Sequence, residues 1–315
     1  DTDRDMKGIC YDSRKVKPGY VFVCIVGFET DGHKYIAGAI SAGASAIVVQ
    51  EGAKLPDIPE TITLIVAKNT RQVLAQLGAS FYKNPQKKLK IIGVTGTNGK
   101  TTVTTLIKSI LEFEGKTTGL IGTNANMICV RTLPTERTTP ESLELFELFH
   151  EMVEEGVEYV VMEVSSHSLD LFRVYGIEFS VGAFTNLTQD HLDYHKTMEN
   201  YYQAKRMMFD ECDDAIINMD DEYGKRLYDE IKCRKYTCGI GNTADFYADN
   251  ISIRADGTEF DYYYNGKSAH IVTQMIGMFN VFNVMAAISV CLKIGLEIND
   301  ILKALKEYKL SLIHI

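Results

Sequence analysis

The stretch Ile91-Ile92-Gly93-Val94-Thr95-Gly96-Thr97-Asn98-Gly99-Lys100-Thr101-Thr102 constrains the fold more than any other part of the chain. A β-rich apolar run enters a glycine turn, and the turn opens a helical pattern carried by Val103, Leu106, Ile107, Ile110 and Leu111. Strand, turn and helix in that order aim backbone N–H groups and the positive end of a helix dipole at one point, where a polyphosphate fits. Lys100 can reach the β- and γ-phosphates there, and the Thr101 hydroxyl can ligate Mg²⁺. The spacing departs from the common phosphate-loop form, because Val94 stands at the first-glycine position and Gly93 just before it.

The rest of the chain reads as alternating strands and helices around this unit. At 315 residues it is long enough for two domains. Residues 1–88 are predicted to form a small N-terminal α/β domain, with apolar runs at 20–26, 46–49 and 62–66 and helical patterns near 35–42 and 71–82. The polar segment 83–88 reads as a linker. A central phosphate-loop-type α/β domain is predicted over 89–309. Its strands fall at 91–95, 117–121, 158–163, 180–185, 214–218 and 234–238, and its helices near 100–113, 141–155, 197–209 and 221–231. Strands at 246–253, 259–264 and 269–274, joined by the turns Asp256-Gly257 and Asn265-Gly266, predict a small antiparallel appendage to a mostly parallel sheet. Helices near 278–294 and 297–308 follow. Residues 310–315 are apolar and uncapped and are read as a non-native tail.

Composition narrows the function. A net charge of −9 and a pI near 5.4 argue against a nucleic-acid or anionic-membrane binder, so local cations must attract any phosphate ligand. Seven cysteines without a Cys-x-x-Cys pair read as reduced thiols. No apolar run is long enough for a membrane span, and no signal-peptide pattern opens the chain, which starts at Asp1 rather than Met. A cytoplasmic enzyme or nucleotide-binding protein is expected, working as a monomer with small-molecule partners and neither nucleic acid nor membrane insertion.

Further clusters carry chemistry. In Val160-Val161-Met162-Glu163-Val164-Ser165-Ser166-His167, a buried strand ends in a carboxylate at the sheet edge where α/β ligands bind. Glu163 there is either a Mg²⁺ ligand shared with Thr101 or a solvated strand-end side chain. The run Thr185-Asn186-Leu187-Thr188-Gln189-Asp190-His191-Leu192-Asp193-Tyr194-His195 admits a transition-metal site, a Mg²⁺ site completed by one imidazole, or a polar loop. Thr139 is predicted to cap a helix with Pro140 in its first position. By itself, Lys205 reads as a solvated helix lysine.

Together, Gly96–Thr102, Met162–His167 and Asn186–His195 resemble the Mur ligases of peptidoglycan synthesis, most of all those adding the third residue to UDP-N-acetylmuramoyl-L-alanyl-D-glutamate. Asp12-Ser13-Arg14-Lys15-Val16-Lys17-Pro18-Gly19 and Asp31-Gly32-His33 match the same group, so the resemblance runs from about residue 10 to 308. It implies an ATP-dependent amide ligase with roles as follows. Gly96, Thr97, Asn98, Gly99, Lys100, Thr101 and Thr102 hold ATP, with Asn280 and Asn283 near the adenine. Ser13, Phe28, Glu29 and Thr30 contact the UDP end of the substrate. Thr138, Thr139, Ser165 and Arg173 hold the muramoyl-dipeptide, and a guanidinium suits a carboxylate or diphosphate. Lys100, Glu163, His191 and Lys205 form the catalytic set. Thr101, Glu163, His191 and a carbamylated Lys205 hold Mg²⁺. Leu171 and Arg137 stand where many relatives have Gln and Asn. The family also carries a C-terminal amino-acid-binding domain to which nothing here corresponds, so the acceptor, meso-diaminopimelate or L-lysine, is unreadable. A folylpolyglutamate-synthase-like ligase and a catalytically incomplete nucleotide-binding fragment are the alternatives.

Overall fold

The computed structural model describes residues 6–27, 30–241 and 243–308. Phe28, Glu29 and the tail 310–315, each singled out in the sequence, lie outside the described residues. The chain forms two compact units, one of Asp1–Pro85, Glu141–His150 and Leu171–Gly176, the other of Gln86–Pro140, Glu151–Asp170 and Ile177–Ile315.

In the first unit, β1 (Gly8–Cys10), β2 (Tyr20–Val23), β3 (Ala46–Gln50) and β4 (Thr63–Ala67) form a parallel sheet in that order. Between β2 and β3 lies α1 (Ile36–Ser41), entered through a 3₁₀ turn at Gly32–Tyr35, and α2 (Thr70–Phe81) follows β4. Both faces of β2 are covered. Phe22 packs with Ile36, Ala39 and Ile47, while Val21 and Val23 pack with Val48 and Leu74. The Asn69 side chain accepts from Arg71 N and Gln72 N, which sets the start of α2. The short β1 was not foreseen, since three residues carry no readable alternation. The run at 62–66 is an edge strand, and Leu64, Ile65 and Val66 are exposed.

The second unit is built on an eleven-stranded sheet. In chain order its elements are β5 (Lys90–Thr95), α3 (Lys100–Phe113), β6 (Thr118–Ile121), β7 (Asn126–Ile128), β8 (Arg131–Leu133), α4 (Ser142–Glu154), β9 (Tyr159–Glu163), α5 (Ser166–Asp170), β10 (Phe179–Phe184), α6 (Leu192–His195), α7 (Met198–Arg206), β11 (Cys212–Asn218), α8 (Glu222–Glu230), β12 (Arg234–Ile240), β13 (Phe246–Arg254), β14 (Gly257–Tyr264), β15 (Lys267–Thr273), α9 (Met278–Lys293) and α10 (Ile298–Glu307). Helix α4 gives its residues through His150 to the first unit. The sheet order is β15-β14-β13-β12-β11-β10-β5-β9-β6-β7-β8. Pairing is parallel from β13 to β6 and antiparallel at both ends.

The mostly parallel sheet with an antiparallel appendage at β14 and β15 agrees with the sequence expectation. The β7–β8 hairpin at the opposite edge does not appear there, because its three-residue strands turn at Cys129-Val130 without glycine or proline. Central strands β5 and β9 are apolar on both faces, as a covered parallel sheet requires. Helices α3 and α9 bury Val103, Leu106, Ile107, Val284 and Ile288 in one cluster with Val94, Val161 and Ile216. At the appendage, strict alternation along β14 turns Thr258, Phe260, Tyr262 and Tyr264 inward.

That alternation sets a test of register. Phe260→Ala, at a fully buried position, is expected to cost about 3–5 kcal/mol. Val272→Ala, at a 45% exposed one, should stay within about 0.5 kcal/mol. Urea unfolding of both variants checks the contrast.

Candidate active site

The turn after β5 is built from two backbone conformations that side chains resist. Gly96 has φ +149°, and a Cβ there would meet Thr185 Oγ1 at 1.9 Å. Gly99 has φ +89°, and its Cβ would meet Asn283 Oδ1 at 2.3 Å. Helix α3 then opens at Lys100, so the first-turn amides have no intrahelical partner and face outward.

The loop is clamped from the neighbouring strand end. Thr97 N donates to Asn186 O (2.8 Å) and Asn98 N to Asn186 Oδ1 (3.0 Å). Thr185 Oγ1 donates to Asn98 O (2.7 Å), and Thr188 N to Thr97 Oγ1 (3.0 Å). Thr185–Thr188, the start of the run read in the sequence as either a metal site or a polar loop, thus holds the phosphate loop in shape.

Two lysines meet at this loop. Lys100 Nζ donates to Gly96 O (3.0 Å) and Thr97 O (2.9 Å). Lys205 Nζ donates to the same Gly96 O (2.7 Å). Far from being solvated, Lys205 is 2% exposed, with its ammonium 4.8 Å from the centroid of the Tyr201 ring. Burial, and then the charge of Lys100, push the Lys205 amine well below the ordinary lysine value. Burial also lowers Lys100, against the opposing pull of Glu163 and Asp190.

Glu163, at the end of β9, is buried rather than solvated. Its Oε1 accepts from Thr101 Oγ1 (2.9 Å) and Thr123 N (2.9 Å), and its Oε2 from Thr123 Oγ1 (3.0 Å). Thr101 and Glu163 therefore meet beside the first turn of α3, and a hydroxyl with a carboxylate suits a hard cation that also takes phosphate oxygens and water. His191, with φ 51°, holds Asp190 Oδ1 through its N–H at 2.8 Å, and its ring lies 5.0 Å from that of His167. Among the described residues no three His, Cys, Asp or Glu side chains gather as a metal site. The two histidines also diverge. His191 is exposed, whereas His195 turns inward to Ser166 Oγ at 2.9 Å. Burial, and then His167, push His195 down to about 4.

Thr139 does not cap α4, which opens at Ser142. Its Oγ1 instead donates to Glu163 O (2.8 Å) and accepts from Ser165 N (3.2 Å), pinning the turn after β9. This role was missed because capping and turn-pinning call for the same hydroxyl. Thr138 Oγ1 lies 3.0 Å from Thr123 Oγ1, and Ser165 Oγ accepts from Ser168 N. In the first unit, Asp12 caps the 3₁₀ turn that Ser13 opens, and Thr30 Oγ1 lies 3.0 Å from Tyr35 Oη. Arg173 Nε pairs with the buried Glu141 at 2.9 Å, and Arg71 holds the other oxygen at 3.1 Å.

Beside the phosphate loop opens a cavity of about 570 Å³ lined by Asn98, Gly99, Asn186, Phe279, Phe282 and Asn283, among others. Asn283 lines it and donates to Asn280 Oδ1 (3.2 Å), while Asn280 is not in its wall. Phe279, Phe282 and Asn186 were not singled out in the sequence. The spacing of Phe279, Phe282 and Asn283 places them on one helix face, but a buried face and a cavity wall read alike.

Two family models match the chain: "Mur ligase family, catalytic domain" over residues 5–82 and "Mur ligase middle domain" over 94–291. The UDP-N-acetylmuramoyl-L-alanyl-D-glutamate--2,6-diaminopimelate ligase of Clostridium tetani is 47% identical over 303 residues, covering 96% of this chain. The chain spans 62% of that relative's length. A solved structure of a ligase of the same name superposes with a TM-score of 0.84 at 26% identity, over 98% of this chain and 65% of the other. The MurF ligase of Thermotoga maritima in complex with ADP shares the fold (TM-score 0.62, 18% identity, 97% of this chain and 67% of the other).

Gly99→Ala forces a left-handed alanine onto Asn283, a strain of roughly 1–3 kcal/mol. Calorimetric titration with MgADP should show affinity falling about tenfold or more. A second expectation concerns pH. Because His195 is depressed in the folded chain, the unfolded chain takes up this proton first. Its contribution to stability is therefore complete above about 6.5 and is lost as pH falls towards about 4. In His195→Gln, denaturant midpoints should fall less steeply over that interval than in the wild type.

Proposed function

Because the chain belongs to the Mur ligase family, we propose that it supplies the ATP and UDP-substrate sites of a ligase joining 2,6-diaminopimelate to UDP-N-acetylmuramoyl-L-alanyl-D-glutamate. The convergence of Lys100, Lys205, Thr101 and Glu163 around one phosphate loop carries this reading. The name shared by the relatives favours diaminopimelate over lysine as acceptor. Family matches on both sides of residue 88, including the block expected to bind UDP, favour a Mur ligase over a folate polyglutamating enzyme. The domain boundaries near 88 and 309 belong to the same proposal, as does a monomeric cytoplasmic form. No helix among the described residues is long and apolar enough to cross a membrane.

In the proposed reaction the γ-phosphate of ATP passes to the free γ-carboxylate of the D-glutamyl residue, giving an acyl phosphate and ADP. The acceptor amine then attacks the acyl carbon, phosphate leaves with the bonding pair, and the amine loses a proton. Lys100, released from Gly96 O and Thr97 O, would neutralise the β- and γ-phosphates, while the α3 amides fix the chain of phosphates in line. Thr101, Glu163 and His191 would hold Mg²⁺, which supplies charge neutralisation on the transferring group. Lys205 is suited to carbamylation because its amine is buried and easily neutral, and a neutral amine is the form that adds CO₂. The product anion would replace a cation beside Lys100 and hold a second Mg²⁺. Thr138, Thr139, Ser165 and Arg173 would grip the dipeptide. Ser13 and Thr30, with Phe28 and Glu29, would take the UDP end, and Asn280 and Asn283 the adenine.

Lys100→Ala is expected to lower diaminopimelate-dependent phosphate release at least about 100-fold in the ligase containing this chain. Lys205→Ala should do nearly the same and lose the carbamate resonance seen with ¹³C-bicarbonate. Unchanged turnover in Lys205→Ala removes the carbamate from the mechanism. Binding of MgADP and UDP-substrate without any release identifies these 315 residues as a binding fragment of the enzyme.

A further inference from the structure

His195 takes no part in the chemistry described above, yet it sits between two segments of the site. It is 5% exposed, and its Nε2 lies 2.9 Å from Ser166 Oγ, a hydroxyl that is itself buried. Its ring stacks on Tyr201, with centroids 5.1 Å apart and planes at 30°. Tyr201 is fully buried in α7, and its hydroxyl lies 3.2 Å from Thr97 Oγ1 in the phosphate loop. The face of the same ring carries the Lys205 ammonium, which reaches Gly96 O. An unbroken path of contacts thus runs from the turn after β9, through His195 and Tyr201, to both ends of the Gly96-Thr97 peptide.

A buried imidazole needs a hydrogen-bond partner wherever it sits, so what marks this one is where its two neighbours lead. This one meets a hydroxyl from one site segment and an aromatic ring that touches the other. Burial keeps the ring neutral near pH 7, so its bond to Ser166 persists across the working range. The stack on Tyr201 places the imidazole between the Ser165–Ser166 turn and the ring whose hydroxyl meets Thr97.

We infer that His195 is a positioning residue that couples the Ser165–Ser166 turn to the phosphate loop, so that ordering either segment orders the other. The coupling itself needs only MgADP binding at the loop; the identity of the ligand at the turn rests on the ligase reading.

The test uses the full chain, with MgADP and UDP-N-acetylmuramoyl-dipeptide as calorimetric probes and thermal melting as a control for folding. Ser166→Ala and His195→Leu are each expected to weaken MgADP binding roughly 2- to 30-fold, the range of networked coupling, with Ser166 acting through its bond to His195. The double variant should be no weaker than the weaker single variant, because both break one path. His195→Gln, which keeps a group able to bond Ser166, should recover part of the loss. A core-filling role predicts lower melting temperatures with unchanged MgADP affinity in the folded variants, and that result overturns the inference, as do additive losses. Wild-type chain that binds MgADP but not the UDP substrate contradicts the ligase reading while leaving the coupling measurable. Wild-type chain that binds no MgADP contradicts both.

Discussion

Two ammonium groups, the half-buried one of Lys100 at 3.0 Å and the buried one of Lys205 at 2.7 Å, share the carbonyl oxygen of Gly96, and the layout of the site follows from that contact. Like charges so close repel strongly in a dry interior. The repulsion is reduced because burial lowers the proton affinity of both amines. It also leaves the site electrostatically incomplete without an anion. A polyphosphate beside Lys100 and a carbamate on Lys205 would each supply one, which is why the proposed chemistry and the resting geometry belong together.

The carbonyl can play this part only because the sheet brings three loops to it. β5 lies between β10 and β9, all parallel, with Phe184 opposite Thr95 and Glu163 opposite Val94. The strands therefore end level, and the turns after them emerge side by side at the carboxyl edge. One carries the two glycines, one carries Glu163 and Ser165, and one carries Asn186 and His191. Thr185 and Asn186 then satisfy the loop backbone, and Thr101 and Thr123 satisfy the buried carboxylate. A buried Glu163 without those donors would be costly.

Much of this was legible in the sequence wherever one segment carried the whole signal. The run Ile91–Thr102 announces strand, turn and helix by its own periodicity, and the alternation of 259–264 announces an antiparallel strand with one covered face. Segments too short for a period, β1, β7 and β8, were silent. Thr139 was misread as a cap because its true partners, Glu163 O and Ser165 N, lie far along the chain. By residue type alone His191 and His195 were alike, and only the resemblance singled out His191; the structure leaves His191 exposed before a four-residue helix and buries His195 at its end.

Lys205 draws the line most sharply. In the sequence it is a basic residue in a polar helix, and helical spacing alone favours solvent. Its burial depends on where α7 packs, with Lys205 and Tyr201 of the same helix both turned to the phosphate loop, and no local pattern encodes that. The sequence by itself determined the element types, the glycines that permit the loop and the residue types that can hold phosphate and a hard cation. Strand order, and with it the convergence of Gly96, Glu163 and Lys205 and the inward turn of His195, was decided only by the tertiary structure. Those contacts join residues far apart in the chain, and their energies arise from burial and pairing that exist only once the sheet has formed.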